Sequence, residues 1–462
     1  MFRKILIANR GEVALRIART CRELGIPCVA VYSSADAGSP VTHLADEAVH
    51  IGPAPAARSY LNVPALVEAA RMTGADAVHP GYGFLAEDPD FAEVCAAEGL
   101  TFIGPAAAVL ECLGNKASAR DLMRGVGVPL LPGGDSILLD EADGLRTAER
   151  IGYPVIVKAV AGGGGKGMGV AWDPGELVGA VRDTRAAAQA LYSDNRVYLE
   201  RYLRHARHVE LQVLGDRYGA AVHLGDRDCS VQRRHQKLVE ETPAPGLSPE
   251  TRQAMAEAAL TGVKAAGLVG AATVEFLVDE HENFYFMEVN PRLQVEHPVT
   301  EMVTGVDIVA QQIRLAAGEP LALEQSSAVA RGAAVECRLN AEDPDRDFLP
   351  TPGRLDAVRL PAGPFTRVDT HVAPGTVVTA DYDSLLGKIV VWGPDRTAAL
   401  ARMDRALAEV VIEGSGIRHT RDLLRQVLRS ADFAAGRHST DLLTQLLGTA
   451  ARPAGDAGAG AR

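Results

Sequence analysis

The chain has 462 residues, of which 47% are hydrophobic and 23% charged, and its formal net charge is -12. This length suggests two to four domains, whereas the acidic balance and the lack of a basic run with interleaved aromatic residues argue against nucleic-acid binding. The first residues lack the apolar stretch of a signal peptide and no run reaches the roughly 18 apolar residues of a membrane helix, so we expect a cytoplasmic protein without membrane attachment.

Strand-like and helix-like segments alternate in the first part of the chain. The strand-like segments are residues 4–8, 27–32, 75–79 and 100–103, and the helix-like segments are residues 14–24, 63–72 and 91–98. Such alternation is typical of a parallel sheet with helices on both faces. The sequence therefore predicts a doubly wound α/β domain over residues 1–114.

A second region begins near Asn115 and a third near Arg331. Apolar periodicity in the second region predicts strands at residues 154–159, 197–200, 209–214, 220–224 and 271–278, and a helix at residues 250–266. The third region has extended segments punctuated by Gly and Pro, ending in a helix-like stretch at 397–412. We expect domains at 115–330, with a lid subdomain at about 131–203, and at 331–447, followed by a disordered tail at 448–462.

A glycine-rich run occupies residues 162–169. It contains Gly-x-Gly-x-x-Gly, yet a strand-like segment follows where a dinucleotide fingerprint needs a helix, and no Ser or Thr follows Lys166 as in a phosphate loop. A flexible linker is the alternative, but the run joins two apolar strand-like segments. That context favours a hairpin whose backbone N–H groups close over phosphate oxygens and reopen to release product.

Five polar side chains alternate from residue 288 to residue 296 and share one face wherever the backbone is extended. They are Glu288, Asn290, Arg292, Gln294 and Glu296. Burying so many polar and charged groups is costly unless metal ions and phosphates lie among them. The segment predicts a site for charged ligands.

Two strand-like runs, residues 271–278 and 284–290, flank a polar turn of five residues and predict an antiparallel hairpin. Folding it about His281 brings Glu275 roughly opposite Glu288, on a face otherwise lined by Thr273, Leu277, Phe286 and Asn290. Facing carboxylates are destabilising across a ladder, so this arrangement indicates a cation, and Mg²⁺ prefers such oxygen ligands.

A charged segment at residues 226–237 has two interpretations. It is either a solvated loop, the usual meaning of a charge run, or another wall of the polyanion site with His235 and Lys237 as donors.

Taken together, these segments resemble the biotin carboxylases of the ATP-grasp superfamily, over nearly the whole chain. The blocks that carry the resemblance are HPGYGFLAE (79–87), GYPVIVK (152–158), RHVELQV (207–213), DCSVQRRHQK (228–237), NPRLQVEHPVTE (290–301) and AVECRLNAED (334–343). The resemblance implies an N-terminal α/β domain, an ATP-grasp domain with a mobile glycine-rich lid, and a C-terminal β-rich domain.

The reaction that this resemblance implies is ATP-dependent carboxylation of biotin by bicarbonate through carboxyphosphate. By the same resemblance, Glu296 is the general base, Lys237 and Arg292 bind bicarbonate, and Arg338 stabilises the biotin enolate. Two Mg²⁺ or Mn²⁺ ions would be held by Glu275 and Glu288, with Asn290 nearby.

The resemblance also implies contacts to nucleotide and to biotin. The expected nucleotide contacts are Lys116, Lys158, Gly163, Gly164, Gly165, Lys166, Glu200, Arg201, Leu203, His208, Gln232 and His235. The expected biotin and bicarbonate contacts are Tyr82, Gly83, Phe84, Lys237, Arg292, Gln294, Val295 and Arg338.

The sequence contains no Met-Lys-Met biotin-attachment motif. We therefore expect a separate biotin carboxyl carrier protein and a carboxyltransferase as partners, in an acetyl-CoA or other acyl-CoA carboxylase, and a homodimer by family analogy. The acyl acceptor stays open among acetyl-CoA, propionyl-CoA, pyruvate and others.

Three alternative functions also stay open at this point. They are another ATP-grasp ligase joining a carboxylate to an amine, a non-catalytic scaffold in a carboxylase complex, and a nucleotide-binding regulator without turnover. The first has no reason to contain Arg292, Glu296 and Arg338 together, and the second would be expected to lose one of the catalytic positions.

Overall fold

The computed structural model describes residues 1–133, 137–161 and 168–448. The N-terminal region is a sheet of parallel strands in the order β3-β2-β1-β4-β5. Its strands are β1 (Ile5–Ile7), β2 (Cys28–Ser33), β3 (Glu47–Gly52), β4 (Ala77–His79) and β5 (Thr101–Phe102). Its helices are α1 (Gly11–Glu23), α2 (Pro40–Leu44), α3 (Val63–Thr73), α4 (Pro89–Ala97) and α5 (Ala107–Gly114).

Both faces of this sheet are buried, which explains the continuous apolar runs in its strands. Ile5 and Ile7 pack in the core that contains α1, and Leu6 packs on the opposite side in the core that contains Leu66 of α3. The predicted doubly wound α/β fold is confirmed. The edge strand β3 escaped prediction because its first two residues are exposed, which weakens the apolar pattern.

The middle region contains two sheets. Its strands are β6 (Val155–Ala159), β7 (Met168–Ala171), β8 (Val197–Arg201), β9 (Arg207–Gly215), β10 (Ala221–Arg233), β11 (Gln236–Thr242), β12 (Gly270–Val278) and β13 (Phe284–Asn290). Its helices are α6 (Lys116–Gly125), α7 (Glu141–Ile151), α8 (Pro174–Tyr192), α9 (Pro249–Ala265), α10 (His297–Thr304) and α11 (Ile308–Ala316).

The smaller sheet has the order β7-β6-β8 and shares a core with α7 and α8. The glycine-rich run connects β6 to β7, which pair in antiparallel fashion with Lys158 opposite Met168. Residues 162–167, which include the predicted phosphate contacts Gly163, Gly164, Gly165 and Lys166, lie outside the described residues.

The C-terminal region adds short strands and helices. Its strands are β14 (Ala333–Asn340), β15 (Glu342–Asp343), β16 (Leu349–Pro350), β17 (Gly353–Arg354), β18 (Ala357–Arg359), β19 (Thr366–Thr370), β20 (Val377–Val378), β21 (Leu385–Gly393) and β22 (Val411–Glu413). Its helices are α12 (Arg396–Glu409), α13 (Arg421–Arg429), α14 (Ala431–Ala434) and α15 (Leu442–Leu446). The helix predicted at 397–412 was too long, because Val411 and Ile412 instead pair with β18.

One antiparallel sheet of eight strands joins the middle and C-terminal regions, in the order β13-β12-β9-β10-β11-β14-β21-β19. The junction is the ladder between β11 and β14, in which Glu240 lies opposite Glu336. Strands from both regions therefore present side chains to one continuous surface.

Two further expectations concern the C-terminal tail and membrane attachment. From residue 449 onwards, the tail expected at 448–462 lies outside the described residues. None of the helices described in this structure combines the length and the apolar character that crossing a membrane requires.

Candidate functional site

The hairpin formed by β12 and β13 carries the two acids that the sequence placed opposite each other. Glu275 is the direct partner of Glu288, and Thr273 is the partner of Asn290. The connecting loop spans residues 279–283. The predicted hairpin and its register at the acids are confirmed.

One detail of that face was wrong. A β-bulge at Met287 separates two registers: Phe286 pairs with Phe276 and does not lie beside the acids, whereas Glu288 beyond the bulge pairs with Glu275. Both rings are buried in the hydrophobic core behind the hairpin. An extra residue in one strand reverses the side on which later side chains point, and a strict alternation cannot anticipate it.

The charged segment at 226–237 forms the end of β10 and the start of β11, so the interpretation as a solvated loop is wrong for most of it. Arg227 is fully buried, and its guanidinium donates to Glu210 at 2.6 Å, to Gln212 at 2.8 Å and to Thr273 at 3.0 Å. A buried charge needs this number of partners to offset its lost hydration. The segment is part of the sheet that carries the site.

Lys237 lies at the centre of the cluster. Its ammonium contacts Glu210 at 2.6 Å, Glu275 at 2.9 Å and Glu296 at 2.6 Å. Burial alone would lower the pKa of Lys237, but the three carboxylates outweigh burial and raise that pKa well above its usual value. Lys237 is therefore held as a cation among anions.

Arg338 approaches the same base from β14. It donates to Glu240 at 2.6 Å and to Glu296 at 2.8 Å. Burial would raise the pKa of Glu296, yet Lys237 and Arg338 outweigh burial and lower that pKa well below its ordinary value. Glu296 is fully buried and ionised between two cations.

Glu275 is tied to the neighbouring strands as well as to Lys237. His208 approaches its carboxylate at 2.9 Å, and the Asn290 amide donates to it at 2.8 Å. Gln232 contacts the other ring nitrogen of His208 at 2.5 Å. The structure thus brings the predicted residues His208, Gln232, Glu275 and Asn290 into one polar network.

Arg292 follows β13 and lies outside regular secondary structure, yet it joins the same network. Its guanidinium donates to Asn290 at 3.1 Å and to Gln294 at 3.2 Å, and it lies 3.1 Å from Glu87. Gln294 in turn reaches Glu275 at 3.4 Å. The side chains expected to share one face of a strand therefore converge although the strand ends at Asn290.

The side of the site that carries the predicted nucleotide contacts is more exposed to solvent than the ion cluster around Lys237. Lys116 lies 3.4 Å from Glu288, and these side chains are 22% and 29% exposed. Lys158 and Arg120 both pair with the buried carboxylate of Glu200.

Three other predicted nucleotide contacts lie around this opening. Arg201 donates to the carbonyl of Ile151 at 3.2 Å, and Leu203 lies in the connection that follows β8. His235 is exposed at the turn between β10 and β11.

A cavity of about 390 Å³ opens beside Lys237 and Arg338. Predicted biotin contacts line it: Tyr82, Gly83, Phe84, Val295, Lys237 and Arg338. Phe84 stacks on Tyr60 with ring centroids 5.1 Å apart. Tyr82 donates its hydroxyl to the buried Glu12. The cavity connects the N-terminal region to the ion cluster.

Glu210, which lies within residues 207–213, was not predicted to have a functional role. It is fully buried and lies opposite Glu275 across the ladder between β9 and β12. The alternation of His208, Glu210 and Gln212 is the same signal that identified residues 288–296, and it could have found this acid. Glu87 and Arg120 contact predicted residues from distant segments and carry no such local signal.

Three family profiles match consecutive parts of the chain. They are the biotin carboxylase N-terminal domain over residues 1–110, the ATP-binding domain of the carbamoyl-phosphate synthase L chain over residues 115–324, and the biotin carboxylase C-terminal domain over residues 336–445. A biotin carboxylase from Pseudomonas aeruginosa is 52% identical over 437 residues, covering 94% of this chain and 96% of that protein.

Solved structures give the same result. A biotin carboxylase-beta-gamma-ATP complex from Campylobacter jejuni superposes with a TM-score of 0.93 at 44% identity, covering 96% of this chain and 99% of that chain. The biotin carboxylase domain dimer of 2-oxoglutarate carboxylase from Hydrogenobacter thermophilus, in complex with MgADP, ADP and bicarbonate, has a TM-score of 0.92 at 44% identity and covers 96% of this chain and 98% of that chain.

Proposed function

The chain belongs to the biotin carboxylase family, and from this premise we propose how its residues divide the work of carboxylating biotin. The protein is an ATP-dependent ligase that transfers the carboxyl group of bicarbonate to biotin, with magnesium as the metal. The observation that carries the residue assignment is the position of Glu296, which is buried between Lys237 and Arg338 and linked through Lys237 to Glu275 of the hairpin.

Glu296 serves as the general base, and the two cations regulate its strength. While both contact Glu296, its low pKa makes it a weak base. Bicarbonate bound by Lys237 and Arg292 draws Lys237 away from Glu296, and biotin draws Arg338 away in the same manner. Losing these partners raises the basicity of Glu296 when substrates are present, so it removes the bicarbonate proton as the oxygen attacks the γ-phosphorus of ATP.

Glu275 and Glu288 would hold magnesium, with Asn290 beside them. Two facing carboxylates supply the hard oxygen ligands that this ion prefers, and Glu288 is paired with Lys116 only at the longer distance of 3.4 Å. A metal ion held by these carboxylates would neutralise charge that develops on the transferred phosphoryl group. Lys116 and Lys158 add point charges for the phosphate oxygens.

Biotin enters the cavity lined by Tyr82, Gly83, Phe84 and Val295, with its ureido group towards Arg338. The planar guanidinium stabilises the enolate that forms when the ureido nitrogen loses its proton to the phosphate released from carboxyphosphate. Support for this direction comes from Arg338, which lines the cavity and lies 2.8 Å from the buried Glu296.

Bicarbonate-dependent ATP hydrolysis, measured with and without free biotin, tests the assignment. Stimulation by biotin is expected. Lack of stimulation would contradict it, and stimulation by an amino acid would favour a carboxylate-amine ligase. ATP binding without any turnover would favour a scaffold or a nucleotide-binding regulator.

We also propose that biotin is presented by a separate carrier protein and that a carboxyltransferase accepts the product, within a biotin-dependent carboxylase complex. A biotinylated carrier domain should give a higher kcat/KM than free biotin if the carrier contacts the rim of the cavity. We further propose a homodimer, which sedimentation at low and high protein concentration would detect. Support comes from the dimeric relative.

The division at residues 114/115 and 330/331 is proposed on the same family basis, and the cytoplasmic location stays a prediction.

A further inference from the structure

Lys388, on β21 of the C-terminal region, forms a buried ion pair with Glu12, the second residue of α1. The distance between the ammonium and the carboxylate is 3.0 Å. Lys388 is 0% exposed and Glu12 is 3% exposed. This pair therefore connects the N-terminal region to the C-terminal region at the cavity, whose lining includes Glu12.

Lys388 also lies 4.0 Å from Asp369. One further contact of each partner of the pair leads to the cavity. The same oxygen of Glu12 accepts the hydroxyl of Tyr82, and Lys388 donates to the carbonyl oxygen of Val295 at 2.8 Å. Tyr82 and Val295 both line the cavity, and Val295 directly precedes Glu296. Lys388 is also the ladder partner of Arg338 in the pairing of β14 with β21.

The electrostatic setting keeps both donors in their required states. Burial would lower the pKa of Lys388, but Glu12, Glu336 and Asp369 outweigh burial and raise it, so the ammonium stays charged. Burial and Glu12 both raise the pKa of Tyr82 well above its usual value, which keeps its hydroxyl proton in place as a donor.

We propose that Lys388 and Glu12 are positioning residues for biotin: together they fix the Tyr82 hydroxyl and the Val295 carbonyl, and with them two walls of the cavity next to Glu296 and Arg338. The inference deepens the proposed function and rests on it. Neither residue contacts Lys237 or the nucleotide-side residues Lys116 and Glu288, so we expect their loss to weaken biotin binding more than ATP binding. Side chains that hold the groups lining a site contribute by limiting how far those groups can move.

Steady-state kinetics of Lys388→Met provide the first test. Methionine keeps most of the volume and removes the ammonium that contacts both Glu12 and the Val295 carbonyl. The KM for free biotin should rise by about tenfold or more, the usual scale for losing a supporting contact, while the KM for ATP changes by less than about twofold. Equal rises in both KM values would overturn the proposal.

If Lys388→Met does not fold because three acids lose their cation, a double-mutant cycle of Glu12→Gln and Tyr82→Phe replaces it. Each single change should raise the KM for biotin, and the double variant should be no worse than the weaker-binding single variant, because both changes break one chain of contacts. Multiplicative effects would mean that Glu12 does not act through Tyr82 and would overturn the proposal.

Arg396→Met is the matched control. Arg396 forms another ion pair with a buried acid between two elements, with Glu241 at 2.6 Å, away from the cavity. This variant should lower the melting temperature without changing the KM for biotin. A wild-type protein without biotin-stimulated ATP hydrolysis overturns the proposed function and this inference together, whereas active wild type with unchanged biotin KM values in the variants overturns the inference alone.

Discussion

Two parts of the site differ in how completely their charges are paired. In the inner part, Lys237, Glu296 and Arg338 are joined by contacts of 2.6 Å and 2.8 Å in a buried setting. In the outer part, Lys116 and Glu288 are 3.4 Å apart and both partly exposed. The inner charges are therefore already paired with one another before substrate binds. The outer charges are only weakly paired and remain available to bind ligands.

Substitutions in the two parts should therefore have different effects on stability, turnover and ligand binding. Removing one member of the inner cluster strands a buried charge, which affects stability and turnover together. Removing one member of the outer pair leaves groups that water can still solvate, so the loss falls on ligand binding.

The largest effect should come from reversing the charge of an outer ligand. Glu288→Lys places a cation beside Lys116 and opposite Glu275, where the metal is expected to bind, so kcat should fall by about a thousandfold or more. Magnesium-dependent ATP hydrolysis measures this. Glu280→Lys makes the same charge change on the exposed turn of the same hairpin and should keep its activity; normal turnover of Glu288→Lys would remove Glu288 from the metal site.

The next effect concerns the inner base. Glu296→Gln preserves shape but cannot accept the bicarbonate proton, so kcat should fall by about a hundredfold or more while nucleotide affinity is kept. Rapid-quench turnover and nucleotide titration separate these quantities. Glu241→Gln, another buried acid with an arginine partner, is the control and should affect stability more than kcat; an unchanged rate in Glu296→Gln would exclude Glu296 as the base.

A smaller effect should appear in the pH dependence of stability. Burial raises the pKa of Glu240 from 4.5 to about 7, although Arg338 opposes the change. The folded protein therefore holds this proton where the unfolded chain has lost it, so stability from this group is full below about pH 4.5 and declines as pH rises through about 7.

Between pH 5 and pH 7 the decline due to Glu240 alone amounts to about 2 kcal/mol. The free energy of unfolding, measured in urea at both pH values, should therefore fall by about 2 kcal/mol less in Glu240→Gln than in the wild type. An equal fall in wild type and variant would mean that folding does not raise the pKa of Glu240.

The smallest effect should come from the outer lysine. Lys116→Gln removes a point charge from the phosphates, so the KM for ATP should rise by about tenfold, equivalent to about 1.4 kcal/mol, with little change in melting temperature. Lys264→Gln removes the same charge from an exposed position on α9 and should leave the KM for ATP unchanged. If both substitutions raised the KM for ATP equally, the effect would come from the overall electrostatic field of the protein rather than from contact between Lys116 and the phosphates.

The elements that sequence alone predicted are those that depend on local periodicity. The parallel strands of the N-terminal region follow from apolar runs, and the hairpin follows from two strand-like runs around one polar turn. The bulge between Phe286 and Glu288, which brings Glu288 directly opposite Glu275, was missed because it accompanies the packing of Phe286 and Phe276 in the core behind the hairpin.

The features that the sequence did not predict depend on contacts between residues that are distant in the chain. The sequence around Arg227 is equally compatible with a surface loop. What buries this residue is contact with Glu210 and Thr273, which lie on other strands. Glu12 and Lys388 show the same limit, since no local pattern connects the first helix to a strand near the end of the chain.

The ladder between β11 and β14 has a practical consequence for dissecting the protein. A fragment ending near residue 330 would lack β14, so the N–H and C=O groups of β11 that pair with β14 would be left along an exposed sheet edge. Exposed edges pair with strands of other molecules, so the fragment should self-associate instead of behaving as an independent unit. Shortened versions for biophysical work should retain the chain through β21.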